Sequence, residues 1–255
     1  MEKFKAGNTR TNVRREIDIS PKITASLKVI EKLDYSERLD TLPADHPIIK
    51  YVESRKIPKD KWNRLWFTTK WQELANSIKP GTFETPKPEP RLVIPIYNRE
   101  GKIESLQGRA LRRSNVKYMT LKASDNASKI YGQDTVNEKL DFVFVMEGPI
   151  DSLFLTNAIA ITGGSLNLDM VPWPEKRIWV MDNEPRHKDT IARMQRLIDE
   201  GETVCFWDAA PWQSKDVNDM VAKEGADPKD VQQYILDNSV SGLMARMRMV
   251  KYCKI

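Results

Sequence analysis

Six carboxylates are spaced as three pairs that could act together: Glu147 with Asp151, Asp182 with Glu184, and Asp216 with Asp219. Glu147 ends the apolar run Phe142-Val143-Phe144-Val145-Met146 and precedes Gly148-Pro149. It is therefore expected at the carboxyl edge of a buried strand, where open α/β sheets bind ligands. Asp151 falls in the first turn of a helix opened by Pro149, where it can point into the same crevice or simply complement the helix dipole. Asp182 and Glu184 follow a third short strand and, being two apart, can project to one side. Asp216 and Asp219 follow a fourth, and Asp216 taken alone reads as a helix cap. The recurrence of acids after three strands of one sheet changes that reading, because like charges at one edge repel unless cations neutralise them. Oxygen ligands with no His or Cys nearby favour Mg²⁺ or Mn²⁺, and the chemistry such a site suits is phosphoryl transfer.

The elements that must position these acids are legible from pattern. From residue 141 the chain alternates strand and helix, which predicts a mainly parallel sheet flanked by helices. The strands are expected at 142–146, 158–162, 177–181 and 203–207, and a helix at 187–200 with Ile191, Met194, Leu197 and Ile198 on one face. Two more helices are expected near 217–223 and 228–236. Upstream, 91–97 and 103–111 predict an antiparallel hairpin. Residues 43–77 read as helical, with Trp62, Trp66, Phe67 and Trp71 as helix-face core aromatics rather than base-stacking groups. The Pro-rich stretch 79–90 reads as a linker. One helix is expected after Ser20-Pro21. The expected division is a partly ordered arm over 1–40, a basic α+β subdomain over 41–140, the α/β domain over 141–238, and a basic tail over 239–255.

Length and composition set outer bounds. The 255 residues, 40% of them hydrophobic, can bury a substantial core. No apolar run approaches the roughly 18 residues needed to span a bilayer, and no secretory signal opens the sequence, so a cytoplasmic protein with no membrane partner is expected. Cys205, Cys253, His46 and His187 are too scattered for a structural zinc site, so no zinc is expected. A disulfide between the two cysteines has no redox reason in such a compartment. The net charge of +5 is compatible with a polyanionic partner, and its distribution says more. Seven Lys or Arg face two Glu between Arg99 and Lys122, and four face no acid from Ser239 to Ile255. These are the candidate nucleic-acid contacts, with a solvated charged face as the alternative.

The acidic motifs, Glu147-Gly-Pro-Ile-Asp151, Asp182-Asn-Glu184 and Lys215-Asp216 with Asn218-Asp219, resemble in order and spacing the TOPRIM domain of bacterial and phage DNA primases. Ile94-Pro95-Ile96, Gly108-Arg109-Ala110-Leu111, Lys117-Tyr118 and Tyr131-Gly132 resemble the basic subdomain of the same primases. The likeness covers about 43–236 and is nearest to primases of tailed phages of the T-even kind. It implies a TOPRIM α/β domain preceded by a smaller α+β basic subdomain. It also implies Mg²⁺-dependent synthesis of RNA primers on single-stranded DNA from ribonucleotide triphosphates. Glu147 and Asp182 would be catalytic, while Asp182, Glu184, Asp216 and Asp151 would hold the metal. Arg109, Arg112, Arg113, Lys117, Lys129 and Lys215 would contact nucleotide or template, largely through phosphates. A replicative helicase is an expected partner. Two departures are visible: Glu184 stands where the family usually has Asp, and the amino-terminal zinc ribbon has no counterpart, which leaves a place for a separate zinc-binding domain protein. The rival functions are a TOPRIM nuclease, against which the basic hairpin counts, and a non-catalytic module binding single strands or a helicase.

Overall fold

The computed structural model describes residues 28–163 and 167–253. The helix expected after Ser20-Pro21 lies outside them. Two sheets organise the chain. The first is antiparallel, in the order β1 (Glu37–Arg38), β2 (Trp66–Thr68), β3 (Arg91–Tyr97), β4 (Ile103–Ala110) and β5 (Tyr118–Lys122). The second has six strands in the order β11 (Ser239–Val240), β10 (Thr203–Cys205), β9 (Arg177–Val180), β7 (Val143–Met146), β8 (Ala158–Ile161) and β6 (Ile130–Tyr131). Its four middle strands are parallel, and β6 and β11 close the edges antiparallel.

The expected strands and hairpin form close to where the pattern puts them, and the mixed α/β class holds. The first sheet explains why β3 reads as a continuous apolar run, because both of its faces are covered. Leu92, Ile94 and Ile96 point into the larger core, which continues beneath the second sheet. Val93, with Leu106 and Leu121, points the other way onto α2 (Trp71–Ile78).

Local pattern misleads most in 43–77. A helix, α1 (Pro47–Ser54), does open at His46-Pro47, but Pro58 opens a 3₁₀ segment, Lys59–Arg64, and β2 follows. Trp66 and Phe67 are therefore neighbours on a strand, facing the smaller and the larger core respectively. Both are partly buried and pack against the cores by alternation across a sheet rather than by sharing a helix face. Pairing with β3 outweighs the helical spacing. The Pro-rich stretch 79–90 carries no helix, as its composition predicts. It joins α2 to β3 within one unit, and Glu89 at its end pairs with the buried Arg91. The short strands β5 and β6 were not anticipated, and β6 gives the second sheet an edge strand from upstream of residue 141.

The basic tail is folded. Its first residues form β11 against β10, and α7 (Gly242–Tyr252) buries Ala245, Met249 and Tyr252, the last edge-on to Phe206 at 5.4 Å. Leu243, Met244, Met247 and Val250 remain exposed on the outer side of α7. Among the described residues no helix is long and apolar enough to cross a membrane.

One glycine fixes how closely the first sheet meets α2. A Cβ on Gly108 would stand 2.6 Å from ring atoms of Trp71, which is fully buried and cannot withdraw. Gly108→Ala is expected to cost about 3 kcal/mol of stability by overpacking, read as a lower urea midpoint with an unchanged slope.

Candidate active site

The order of the second sheet carries the site. From β7 the chain passes to β8 on one side, then crosses back over β7 to form β9 on the other. The carboxyl ends of β7 and β9 therefore flank a topological switch point, the place where open α/β sheets leave a crevice. Glu147 follows β7 directly, Asp182 lies two residues beyond β9, and Asp216 closes the loop that leaves β10, the next strand out. Glu147, Asp151, Asp182, Lys215 and Asp216 line one small cavity there.

The third acidic pair is held by the start of a helix. Asp216 is the N-cap of α5 (Val217–Glu224) and accepts from the Asp219 N–H at 2.7 Å. Asp151, in the short helix α3 (Pro149–Ser152), accepts from the next free donor, the Asn218 N–H, at 2.9 Å. Both bland readings are therefore partly true: Asp216 caps, and Asp151 complements a helix dipole, although that of α5 rather than its own. Neither use consumes the second carboxylate oxygen of Asp151 or Asp216. The middle pair is tied to the same loop, because the Asn183 N–H donates to the Lys215 carbonyl at 2.6 Å.

Electrostatics show how crowded this edge is. Burial first, and then the charge of Asp182, pushes Glu147 from 4.5 up to about 7. Burial and the neighbouring Asp216 push Asp151 from 3.8 to about 7. Asp182 is also raised by burial, even though Lys215 beside it works in the opposite direction. The Lys215 ammonium stands 3.2 Å from Asp182 and 2.9 Å from Glu184, and these partners raise its own pKa. Arg193 of α4 (Lys188–Asp199) reaches Glu147 at 3.4 Å from the surface.

Divalent-cation chemistry fits the donor set. All its oxygens are carboxylate, three of the acids are raised by burial and then by one another's charge, and Glu147 Oε1 is buried with no hydrogen-bond partner among the described residues. As the side chains stand, no three of the described His, Cys, Asp or Glu residues form a ready metal-ligating group. Lys215 instead fills the gap between the two acids of the middle pair. Its side chain is half exposed and can swing out to solvent.

The basic hairpin approaches from the first sheet. Arg109 on β4 pairs in register with Tyr118 on β5, donates to its hydroxyl and lies 5.3 Å over its ring. Tyr51 of α1 lies 5.9 Å from the same guanidinium, and the exposed Lys117 lies 5.6 Å from the Tyr118 ring. Burial raises the Tyr118 hydroxyl pKa and Arg109 opposes that. Through α1, whose Tyr51 lies by Arg109 and whose C-cap Arg55 pairs with Asp219, this end of the hairpin is tied to the acidic edge. Arg112 and Arg113 are exposed and line a separate groove with Gln72, Phe83 and Met119. Lys129 precedes β6, where its carbonyl accepts from both the N–H and the hydroxyl of Thr162.

Sequence reasoning missed Tyr51, Arg55 and Arg193. Arg193 carried the weakest signal, as one of several charges on the outer face of an amphipathic helix. Arg55 and Tyr51 lie in a segment whose only sequence feature was helical periodicity.

Comparison with known proteins adds to this geometry. The chain is 58% identical over 229 residues to the DNA primase of Enterobacteria phage T4, an overlap covering 89% of this chain and 66% of that protein. It belongs to the DNA primase family. No family model matches it. The chain spans slightly less than two thirds of that primase's length. Among solved structures it resembles a DNA primase domain from Pseudomonas aeruginosa, with a TM-score of 0.59 at 17% identity, covering 80% of this chain and 75% of that one. It also resembles a DnaG primase catalytic domain bound to single-stranded DNA, with a TM-score of 0.57 at 17% identity, covering 77% and 74% respectively. At such identities the likeness establishes a shared primase fold.

Proposed function

We propose that this chain is the catalytic region of a DNA primase that joins ribonucleotides into short RNA primers on single-stranded DNA. The observation that carries this reading is the convergence of Glu147, Asp151, Asp182 and Asp216 on one cavity at adjacent strand ends, with Arg109 and Tyr118 of the basic hairpin tied to that edge through α1. The reaction is attack of a 3′-hydroxyl on the α-phosphate of a bound ribonucleotide triphosphate, with pyrophosphate leaving. Asp182, Glu184, Asp216 and Asp151 are the residues that would hold Mg²⁺. When bound, the ion supplies charge stabilisation for the phosphoryl group and lowers the pKa of the attacking hydroxyl.

The chain's own groups do the rest. Glu147, poised near neutrality and with one unpartnered oxygen, can accept a proton from the attacking hydroxyl at physiological pH. Lys215, half exposed beside Asp182 and Glu184, would be the donor to the triphosphate. Arg109 and Lys117, gathered around the Tyr118 ring, bind phosphate. Lys129, Arg112 and Arg113 extend the basic surface away from the centre. The exposed apolar side of α7, flanked by Arg246 and Lys251, is the surface we assign to a replicative helicase.

The test is incubation of the protein with single-stranded DNA, Mg²⁺ and labelled ribonucleotides, with and without a helicase and a separate zinc-binding primase module. Labelled oligoribonucleotides are expected. Their absence under every condition refutes the reading, and shortened DNA would point to a nuclease instead. Arg109→Ala is expected to weaken single-strand binding about tenfold at 100 mM salt and to reduce the slope of log K against log[salt] by about one. Fluorescence anisotropy across a salt series checks it, and an unaltered slope places the DNA elsewhere.

A further inference from the structure

Residues 55 and 219 are 164 positions apart and meet at the back of the acidic edge. Arg55 caps the carboxyl end of α1, and its Nη1 donates to Asp219 Oδ1 at 2.9 Å, with the two side chains 21% and 16% exposed. The Arg55 backbone carbonyl accepts from Asn218 Nδ2 at 2.6 Å, and Asn218 is buried. These same two residues, through their backbone N–H groups, bind the carboxylates of Asp151 and Asp216. Asn218 and Asp219 are thus gripped on one side by α1 and grip two acids on the other. One turn earlier in α1, Tyr51 lies against Arg109. A single short helix therefore spans from the basic hairpin to the first turn of α5.

We propose that Arg55 and Asp219 are positioning residues whose ion pair, with Asn218, locks the start of α5 so that Asp151 and Asp216 keep their places at the catalytic edge. This rests on the reading of that edge as the site of primer synthesis. The pair is largely enclosed and charge-assisted, so it constrains geometry in a way an exposed pair does not. Loss of Asp219 also leaves Arg55, whose Nε is already buried without a partner among the described residues, as an unpaired charge. The rival is simple helix stabilisation, because Asp219 also pairs with Lys223 one turn on, at 2.7 Å.

Hydrogen exchange of the whole chain, read at the amides of Asn218 and Asp219, separates the two and needs no enzymatic activity. Asp219→Ala and Arg55→Ala are expected to speed exchange at both amides about tenfold, with Asp219→Glu recovering part of the protection. Lys223→Ala should exchange as the unaltered chain does. In primer synthesis Asp219→Ala is expected to lower kcat about 10- to 100-fold with KM for ribonucleotides within about twofold. Ordinary exchange in both alanine variants overturns the lock, and so does Lys223→Ala matching Asp219→Ala. Faster exchange with unchanged kcat overturns the positioning role. If Asp219→Ala does not fold, Asp219→Asn and Arg55→Lys are read the same way. If the unaltered chain makes no primer, the exchange result still decides the lock, and the failure belongs to the primase reading alone.

Discussion

Asp182→Asn is expected to reduce primer synthesis at least about 1,000-fold while leaving the melting temperature unchanged or slightly higher. The substitution keeps the shape of the side chain and removes one negative charge from the middle of the cluster. That charge is needed to hold a divalent cation, and it is costly without one: burial and the neighbouring Asp216 and Glu184 together outweigh Lys215 and raise the Asp182 pKa. Removing it relieves repulsion in the free protein. Lys215 loses a partner at 3.2 Å but keeps Glu184 at 2.9 Å, so the ammonium is not stranded. Initial rates at saturating ribonucleotide, with thermal melts of the same preparations, check both halves. Synthesis within about twofold of the unaltered chain would remove Asp182 from the centre, and a large fall in melting temperature would make it structural.

The contrast between the two halves of the molecule shows what a sequence can disclose. The acids were legible because chemistry and topology leave the same mark: each follows a short apolar strand, and parallel strands put their carboxyl ends on one side. The positions of Glu147, Asp182 and Asp216 at one edge therefore follow from the shared direction of the strands. Their particular partners do not. That Asp151 would turn to the amino end of α5 rather than its own helix depends on the distance between two elements 67 residues apart. In the first unit, Trp66 and Phe67 sat at helical spacing from Trp62 and Trp71, and only pairing with β3 turned that stretch into a strand. Arg55 is the extreme case. Nothing in its local sequence separates it from a solvated lysine or arginine, and its role exists only because α1 is laid across the start of α5. The closing segment failed for a related reason: its charge count suggested a tail, while three buried residues, Ala245, Met249 and Tyr252, were enough to dock it.

Glu147→Gln is expected to show that the catalytic edge is kept at the expense of stability. The carboxyl of Glu147 rises from 4.5 to about 7 on folding, chiefly through burial and then through Asp182. A carboxyl raised in this way favours the folded state fully below the unfolded value of 4.5, and that contribution is lost as pH climbs through 7. Without divalent cations the protein should therefore lose stability between pH 5 and pH 8, by up to ~3 kcal/mol from this group alone, because each pKa unit corresponds to about 1.4 kcal/mol. Glutamine removes the ionisation. Urea denaturation in EDTA at pH 8 should thus find Glu147→Gln more stable than the unaltered chain, while at pH 5 the two should agree. The lost contact with Arg193 subtracts little, since that arginine is 61% exposed. Added Mg²⁺ should stabilise both forms, since both keep the four proposed ligands, and should narrow the gap at pH 8 because the nearby Glu147 carboxylate gains from the cation's charge and a glutamine does not. The same variant should lose primer synthesis at least about 100-fold and lose the acid limb of the pH–rate profile. A gain at pH 8 that Mg²⁺ does not narrow would mean that the repulsion is real but that no cation relieves it. Equal stability at both pH values would mean that the edge is not strained at all, and the chemical case for a cation there would fall with it.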